Sequence, residues 1–158
     1  MALFINNILY MIKTLLQRQP HFDVYTDGAS KDGVGSWAYV ISKRGISLSE
    51  KAGRVRRASS NTMEFQAAIE ALTSLPANSN VTLFTDSKIL VDAMALGKSH
   101  HSFQVQINEL LLLTAQHTIK WKWIKAHNGN TFNERCDELC TRMRDLKTTY
   151  VLNGIAPR

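Results

Sequence analysis

Two predicted apolar strands end in aspartates within similar sequence motifs, YTDG at Asp27 and FTDS at Asp86. The carboxyl ends of strands form the edge at which α/β sheets bind ligands, and parallel neighbours about 4.8 Å apart would bring both side chains together. Either aspartate alone is better explained as the start of a turn or a helix cap. The pair favours a functional site.

Two further acids come from predicted helices. Glu64 shares a helical stripe with four apolar residues, Ala68, Ala71, Leu72 and Leu75. A buried carboxylate is costly unless it is paired, protonated or bound to a metal, although a first-turn glutamate can instead serve the helix dipole. Asp137 borders the apolar stripe of the last helix, so spacing alone leaves it open between a rim charge and a site residue.

Carboxylates that converge on one point repel each other unless a cation lies between them. Oxygen ligands select hard ions, so the pattern predicts Mg²⁺, with Mn²⁺ as a substitute. Two such ions would activate a water and neutralise a developing alkoxide, as in attack at phosphate diesters. His127, in a loop ahead of the last helix, can carry protons there, although an isolated loop histidine is more often a surface residue.

The elements that must position these residues follow from periodicity. Period-two runs from Phe22 to Val55 predict a three-strand antiparallel meander, followed by a helix that Asn61 opens. VTLFTD and IKWKWI predict two more strands, whose alternating tryptophans, Trp121 and Trp123, are expected to be buried on one face. Three more helices are predicted, from the N-cap Ser87 to about Leu96, over Phe103–His117 and over Asn133–Leu146. This alternation predicts an α/β fold with parallel pairing.

We divide the chain into an amphipathic extension (1–20), one domain (21–147) and a tail (148–158). The extension is expected to form a helix, which docks on the domain, binds a partner or precedes a later start at Met11. Cys136 and Cys140 lie four apart on one predicted helix and are expected to fill the core.

The amino-acid composition limits the classes of protein to which the chain can belong. Of 158 residues, 19 are Lys or Arg and 13 are Asp or Glu, and the net charge of +6 favours an anionic partner such as nucleic acid. A hydrophobic content of 44% excludes disordered and collagen-like classes. No apolar run approaches the roughly 20 residues that span a bilayer. We expect a cytoplasmic monomer with no membrane partner.

The order of motifs resembles the type 1 ribonuclease H family: YTDGAS, then NTMEFQAAIEAL, FTDSKILV and IKWKWIKAHNGNTFNERCDEL. The resemblance implies a ribonuclease H-like fold, a five-stranded mixed sheet flanked by helices, here with an extra N-terminal helix. It implies two-metal, Mg²⁺-dependent endonucleolytic cleavage of the RNA strand of RNA/DNA hybrids, leaving 5′-phosphate and 3′-hydroxyl ends. The metal-binding acids would be Asp27, Glu64, Asp86 and Asp137, and His127 would assist turnover.

The resemblance also implies substrate contacts. The backbone of Gly28, Ala29 and Ser30, with Asn61, would meet RNA hydroxyls, and only the 2′-hydroxyl distinguishes RNA from DNA at a given site. Ser59 and Ser60 replace the usual Thr-Asn of a DNA-phosphate pocket. Ser87 and Lys88 follow the third acid, where the lysine replaces a neutral residue.

The family's basic handle has no counterpart between Leu96 and Phe103. Phosphate contacts must then come from other cations, for which the candidates are Lys31, Arg54, Arg56, Arg57, Lys88 and Lys98. Two alternatives stay open, a resolvase-like or transposase-like nuclease and a catalytically silent hybrid-binding or assembly module. The lack of room for extra domains disfavours the first, and the intact acids disfavour the second.

Overall fold

The computed structural model describes residues 19–98 and 100–146. The predicted N-terminal helix and the predicted tail lie outside the described residues. Within them, no helix is long and apolar enough to cross a membrane.

Five strands form one mixed sheet in the order β3-β2-β1-β4-β5. The first three, β1 (His21–Lys31), β2 (Val34–Lys43) and β3 (Ile46–Arg56), pair antiparallel. Tight turns at Asp32-Gly33 and Arg44-Gly45 join them, with positive φ at all four residues, as two-residue hairpins require. β4 (Asn80–Thr85) then pairs parallel to β1, and β5 (Thr118–Trp123) pairs parallel to β4. The predicted α/β sheet is confirmed.

In the described part of the chain, four α-helices flank this sheet: α1 (Ser60–Thr73), α2 (Lys88–Leu96), α3 (Gln104–Thr114) and α4 (Thr131–Asp145). The hydroxyl of Ser87 caps α2 as predicted, by accepting from the Leu90 N–H. The predicted start of α4 at Asn133 is wrong by two residues, because the Asn130 side chain caps the helix by accepting from the Asn133 N–H. The helix predicted over Phe103–His117 begins instead with a 3₁₀ turn, His101–Phe103, and ends at Thr114.

Two hydrophobic cores separate the layers. Helices α1, α2 and α3 cover one face of the sheet, where Phe65, Leu72 and Leu83 are buried. Helix α4 covers the other face, and its cysteines, Cys136 and Cys140, are buried free thiols, as the core-filling prediction expected. The sheet edge above β1 and β4 lies between these layers.

The predicted burial of both β5 tryptophans is right in part. Trp121 packs against the core below α1, but Trp123 is 45% exposed and this part of the prediction is wrong. β5 is an edge strand and Trp123 is its last residue, so the helices that cover the strand leave its end open to solvent.

Candidate active site

The register of β1 against β4 brings two acids to one edge. Tyr25 pairs with Phe84, and their rings stack at 4.6 Å between centroids. Two residues further along the chain come Asp27, on β1, and Asp86, immediately after β4. The predicted juxtaposition of the two aspartates is confirmed, but the prediction that Asp27 ends its strand is wrong, because β1 continues to Lys31 in its pairing with β2.

Gly28 allows helix α1 to approach β1 closely enough for Glu64 to join them. A Cβ on Gly28 would lie 2.1 Å from the backbone nitrogen of Glu64, so only glycine fits between strand and helix. One carboxylate oxygen each from Asp27, Glu64 and Asp86 then lies within 4.8 Å of the other two. We call these three residues the acidic triad.

Two members of the acidic triad are buried and the third, Asp86, is partly buried, so their negative charges are unfavourable without a cation. Asp27 is 8% and Glu64 7% exposed. Burial, and then the charges of Asp86 and Asp137, raise the pKa of Asp27 to about 6. Burial, and then the charges of Asp27 and Asp86, raise the pKa of Glu64 well above its usual value.

The triad fits a hard divalent cation. Its ligands are all carboxylate oxygens, which Mg²⁺ and Mn²⁺ prefer. Glu64 Oε2 is buried with no hydrogen-bond partner among the described residues, so it is free to coordinate. A bound cation would neutralise the charge repulsion that adds to burial in raising the pKa values of Asp27 and Glu64.

We predict that the metal-free protein loses stability as pH rises. Because folding raises the pKa of Asp27 from 3.8 to about 6, the folded state binds more protons than the unfolded chain in that interval. The contribution of Asp27 to the free energy of unfolding is greatest below this pH interval. It decreases by about 3 kcal/mol as the pH rises through the interval. Thermal unfolding in chelator should therefore show a melting temperature that falls across this interval.

Added Mg²⁺ should raise the melting temperature much more at about pH 8 than at about pH 4, where the ligands are protonated. The matched variant Asp27→Asn should show a flatter pH dependence in chelator. Identical pH curves for the two proteins would contradict the assigned repulsion.

Asp137 and His127 lie at the rim. The carboxylate of Asp137 is 45% exposed, and its Oδ2 lies 4.0 Å from His127 Nδ1. Asp137 is outside the acidic triad, although its charge contributes to the raised pKa of Asp27. The loop that carries His127 is tied to α4, because the Gly129 N–H donates to Glu134 Oε1.

The family model of RNase H matches residues 19–144, which is most of the chain. The chain belongs to the RNase H family. It is 36% identical over 132 residues to Ribonuclease H of Geotalea uraniireducens, covering 74% of this chain and 89% of that one. Membership makes the protein a nuclease of the hydrolase class.

Solved RNase H structures share the fold. The N-terminal RNase H domain of a Mycobacterium tuberculosis protein superposes with a TM-score of 0.71 at 21% identity, covering 80% of this chain and 95% of that one. LC11-RNase H1, solved in complex with an RNA/DNA hybrid, gives a TM-score of 0.68 at 19% identity, covering 77% and 94%.

Sequence reasoning missed two groups that act on Asp86 in this RNase H family member. The side chain of Asn133, 4% exposed, opposes the rise in the pKa of Asp86 that burial causes. Asn133 stands four residues before Asp137 on α4, a spacing that places both on one helix face. The second group is the Trp123 indole, whose Nε1 donates to the Asp86 carbonyl oxygen at 2.9 Å.

The predicted substrate contacts surround the same edge. Ser59 Oγ accepts from the Thr62 N–H as the cap of α1, and Ser30 Oγ donates to the Ala58 carbonyl at 2.7 Å. Gly28 and Ala29 lie between the acidic triad and Ser30 on β1, while Ser60, Asn61 and Lys88 are exposed at the starts of α1 and α2. Their contacts with substrate remain predictions.

Two of the candidate phosphate-binding cations already have protein partners. Lys98 Nζ lies 2.9 Å from Asp92 Oδ2, and the Arg54 guanidinium donates to the Leu146 carbonyl. Lys31, Arg56 and Arg57 are exposed around the turn that joins β1 to β2 and the end of β3.

Proposed function

We propose that this protein is an Mg²⁺-dependent endoribonuclease that hydrolyses the RNA strand of RNA/DNA hybrids. The observation that carries the proposal is the convergence of the acidic triad, two of whose members are buried, in an RNase H family chain. The hybrid-bound structure of LC11-RNase H1, which shares the fold, supports the substrate class. We place the activity in the cytoplasm and in a monomer.

Asp27, Glu64 and Asp86, joined at the rim by Asp137, would hold two Mg²⁺ ions, which Mn²⁺ can replace. When bound, the ions would supply a water activated for in-line attack and would neutralise charge at the phosphate, giving 5′-phosphate and 3′-hydroxyl ends. The protein's own contribution is electrostatic. The polar Asn133 side chain lowers the pKa of Asp86, and the Gly28 backbone lowers that of Glu64, so both groups favour the charged carboxylates that would hold the ions.

His127 would move protons between the rim and solvent. Its ring is 76% exposed and lies 4.0 Å from Asp137, a position from which an imidazole can exchange protons with solvent. The open position suits proton carriage or product departure better than metal binding.

Selectivity for RNA would come from the residues that follow Asp27 on β1, together with the start of α1. The backbone of Gly28, Ala29 and Ser30, with Asn61, is proposed to meet 2′-hydroxyls, which DNA lacks. Ser59 and Ser60 would bind a phosphate of the DNA strand. Ser87 and Lys88, which follow Asp86, would make a second contact with the substrate.

The proposed function is tested with a substrate panel. Purified protein is incubated with end-labelled RNA/DNA hybrid, duplex RNA and duplex DNA, with Mg²⁺, Mn²⁺ or chelator. We expect cleavage of the RNA strand of the hybrid alone, and only with a divalent ion. Products should be extended by a polymerase, which requires 3′-hydroxyl ends. Binding of the hybrid without cleavage in either metal would instead indicate a silent binding module.

Replacing His127 by alanine should slow turnover without abolishing it. Proton movement by a positioned side chain contributes about 10² to 10⁴ in rate, and water can replace an exposed imidazole in part, so we expect a decrease in kcat of about 10- to 100-fold. The measurement is the steady-state kcat for hybrid cleavage as a function of pH. His21→Ala, at the far end of β1, is the control and should keep wild-type kcat. Equal rates for His127→Ala and wild type would exclude the role.

A further inference from the structure

Trp123 binds the backbone of a residue of the acidic triad. It is the last residue of β5 and pairs with Thr85, the last residue of β4. The Ile124 N–H donates to the Thr85 carbonyl at 2.9 Å, and the Trp123 indole N–H donates to the next carbonyl, that of Asp86, at 2.9 Å. Two successive carbonyls at the end of β4 are therefore held by β5.

The second of these bonds lies where the strand ladder has ended. Asp86 belongs neither to β4 nor to α2, which Ser87 caps, so its peptide has no strand partner of the regular kind. The indole replaces that partner with a side-chain donor from the neighbouring strand. The bond therefore fixes the peptide plane immediately beyond the Asp86 side chain.

The other contacts of Trp123 keep the indole in place. Lys88 Nζ lies 5.1 Å from the centre of its ring, a cation–π distance, and Lys88 opens the helix that follows Asp86. The side chain of Asn133, on α4, favours the charged form of the Asp86 carboxylate. The hydrogen bond that holds the Asp86 backbone comes from β5.

We propose that Trp123 is a positioning residue, whose indole N–H holds the Asp86 backbone so that its carboxylate stays within reach of Asp27 and Glu64. The proposal rests on the proposed function only for its effect on cleavage, since the effect on metal binding stands on its own. An indole that instead stacked on the substrate would act through KM.

The test uses Trp123→Phe, which keeps an aromatic ring near Lys88 and removes the N–H donor. We expect kcat to fall about 3- to 10-fold, the worth of one hydrogen bond, with KM changed less than about twofold. Mg²⁺ affinity, measured by calorimetry without nucleic acid, should weaken by a similar factor. Trp121→Phe is the control, because Trp121 lies on the same strand and packs against the core. It should keep wild-type kcat and Mg²⁺ affinity.

A second measurement needs no substitution. The chain has three tryptophans, so ¹⁵N-labelled protein gives three indole N–H signals. Titration with Mg²⁺ should shift the Trp123 signal more than those of Trp37 and Trp121. The Kd obtained from this shift should equal the Kd measured by calorimetry.

Three results would overturn the proposal: unchanged kcat and Mg²⁺ affinity in Trp123→Phe, a raised KM at constant kcat, or a Trp123 signal indifferent to Mg²⁺. If the wild-type protein cleaves no hybrid, the proposed function fails. Calorimetry and the indole signal then still decide the role of Trp123.

Discussion

Replacing Asp27 by asparagine is expected to abolish cleavage of the hybrid while the protein stays folded and gains stability. The carboxylate lies at the centre of the acidic triad, and its loss removes a ligand that an amide replaces poorly for a hard cation. We expect kcat to fall by about 10³-fold or more, the scale on which a central electrostatic contribution acts. The measurement is single-turnover cleavage of the labelled hybrid in Mg²⁺.

The gain in stability distinguishes this result from unfolding. In chelator at neutral pH, the cost of burying a charge and the repulsion from Asp86 and Asp137, which together raise the pKa of Asp27 to about 6, disappear with the charge. The free energy of unfolding should increase, by up to about 3 kcal/mol. Asp92→Asn, which alters a surface ion pair with Lys98, is the matched control and should leave cleavage unchanged. Full activity in Asp27→Asn would end the proposed function.

Gly28→Ala is expected to cost both stability and activity. The added Cβ would lie 2.1 Å from the Glu64 nitrogen and 2.3 Å from the Met63 carbonyl carbon, both backbone atoms that no rotamer change can move. Strand β1 and helix α1 would have to separate, at a cost of about 3 kcal/mol. Since that separation carries Glu64 away from Asp27, cleavage should be lost even in molecules that remain folded. Denaturant unfolding and cleavage assays give the two readings.

Gly33→Ala separates this steric effect from the ordinary effect of losing a glycine. Gly33 has φ +75° but no atom within 4 Å of its added Cβ, so alanine there meets backbone strain alone. We expect a loss of about 1 kcal/mol and unchanged cleavage. Similar behaviour of the two variants would show that the contact between β1 and α1 does not determine the site.

The acids that sequence predicted well are those whose surroundings are periodic. The similar motifs YTDG and FTDS bring Asp27 and Asp86 together once β1 and β4 pair in parallel. The apolar stripe of α1 predicts the burial of Glu64. Both inferences use local spacing and one general rule of topology.

The residues that sequence missed act across elements. The influence of Asn133 on the pKa of Asp86 depends on how α4 lies over the sheet, which periodicity does not specify. Trp123 looks like a buried strand residue because alternation cannot show that β5 is an edge or that its end is uncovered. The start of α4 was wrong because two asparagines, Asn130 and Asn133, compete as its cap in the sequence.

Asp27 lies on β1, Glu64 on α1 and Asp86 between β4 and α2, whereas Asp137 and Asn133 lie on α4, the last helix among the described residues. A nascent polypeptide in which α4 has not yet been synthesised therefore lacks both rim groups. Under the proposed function, such a chain cannot yet assemble the complete set of groups that cleaves a hybrid, so activity follows the synthesis of this helix.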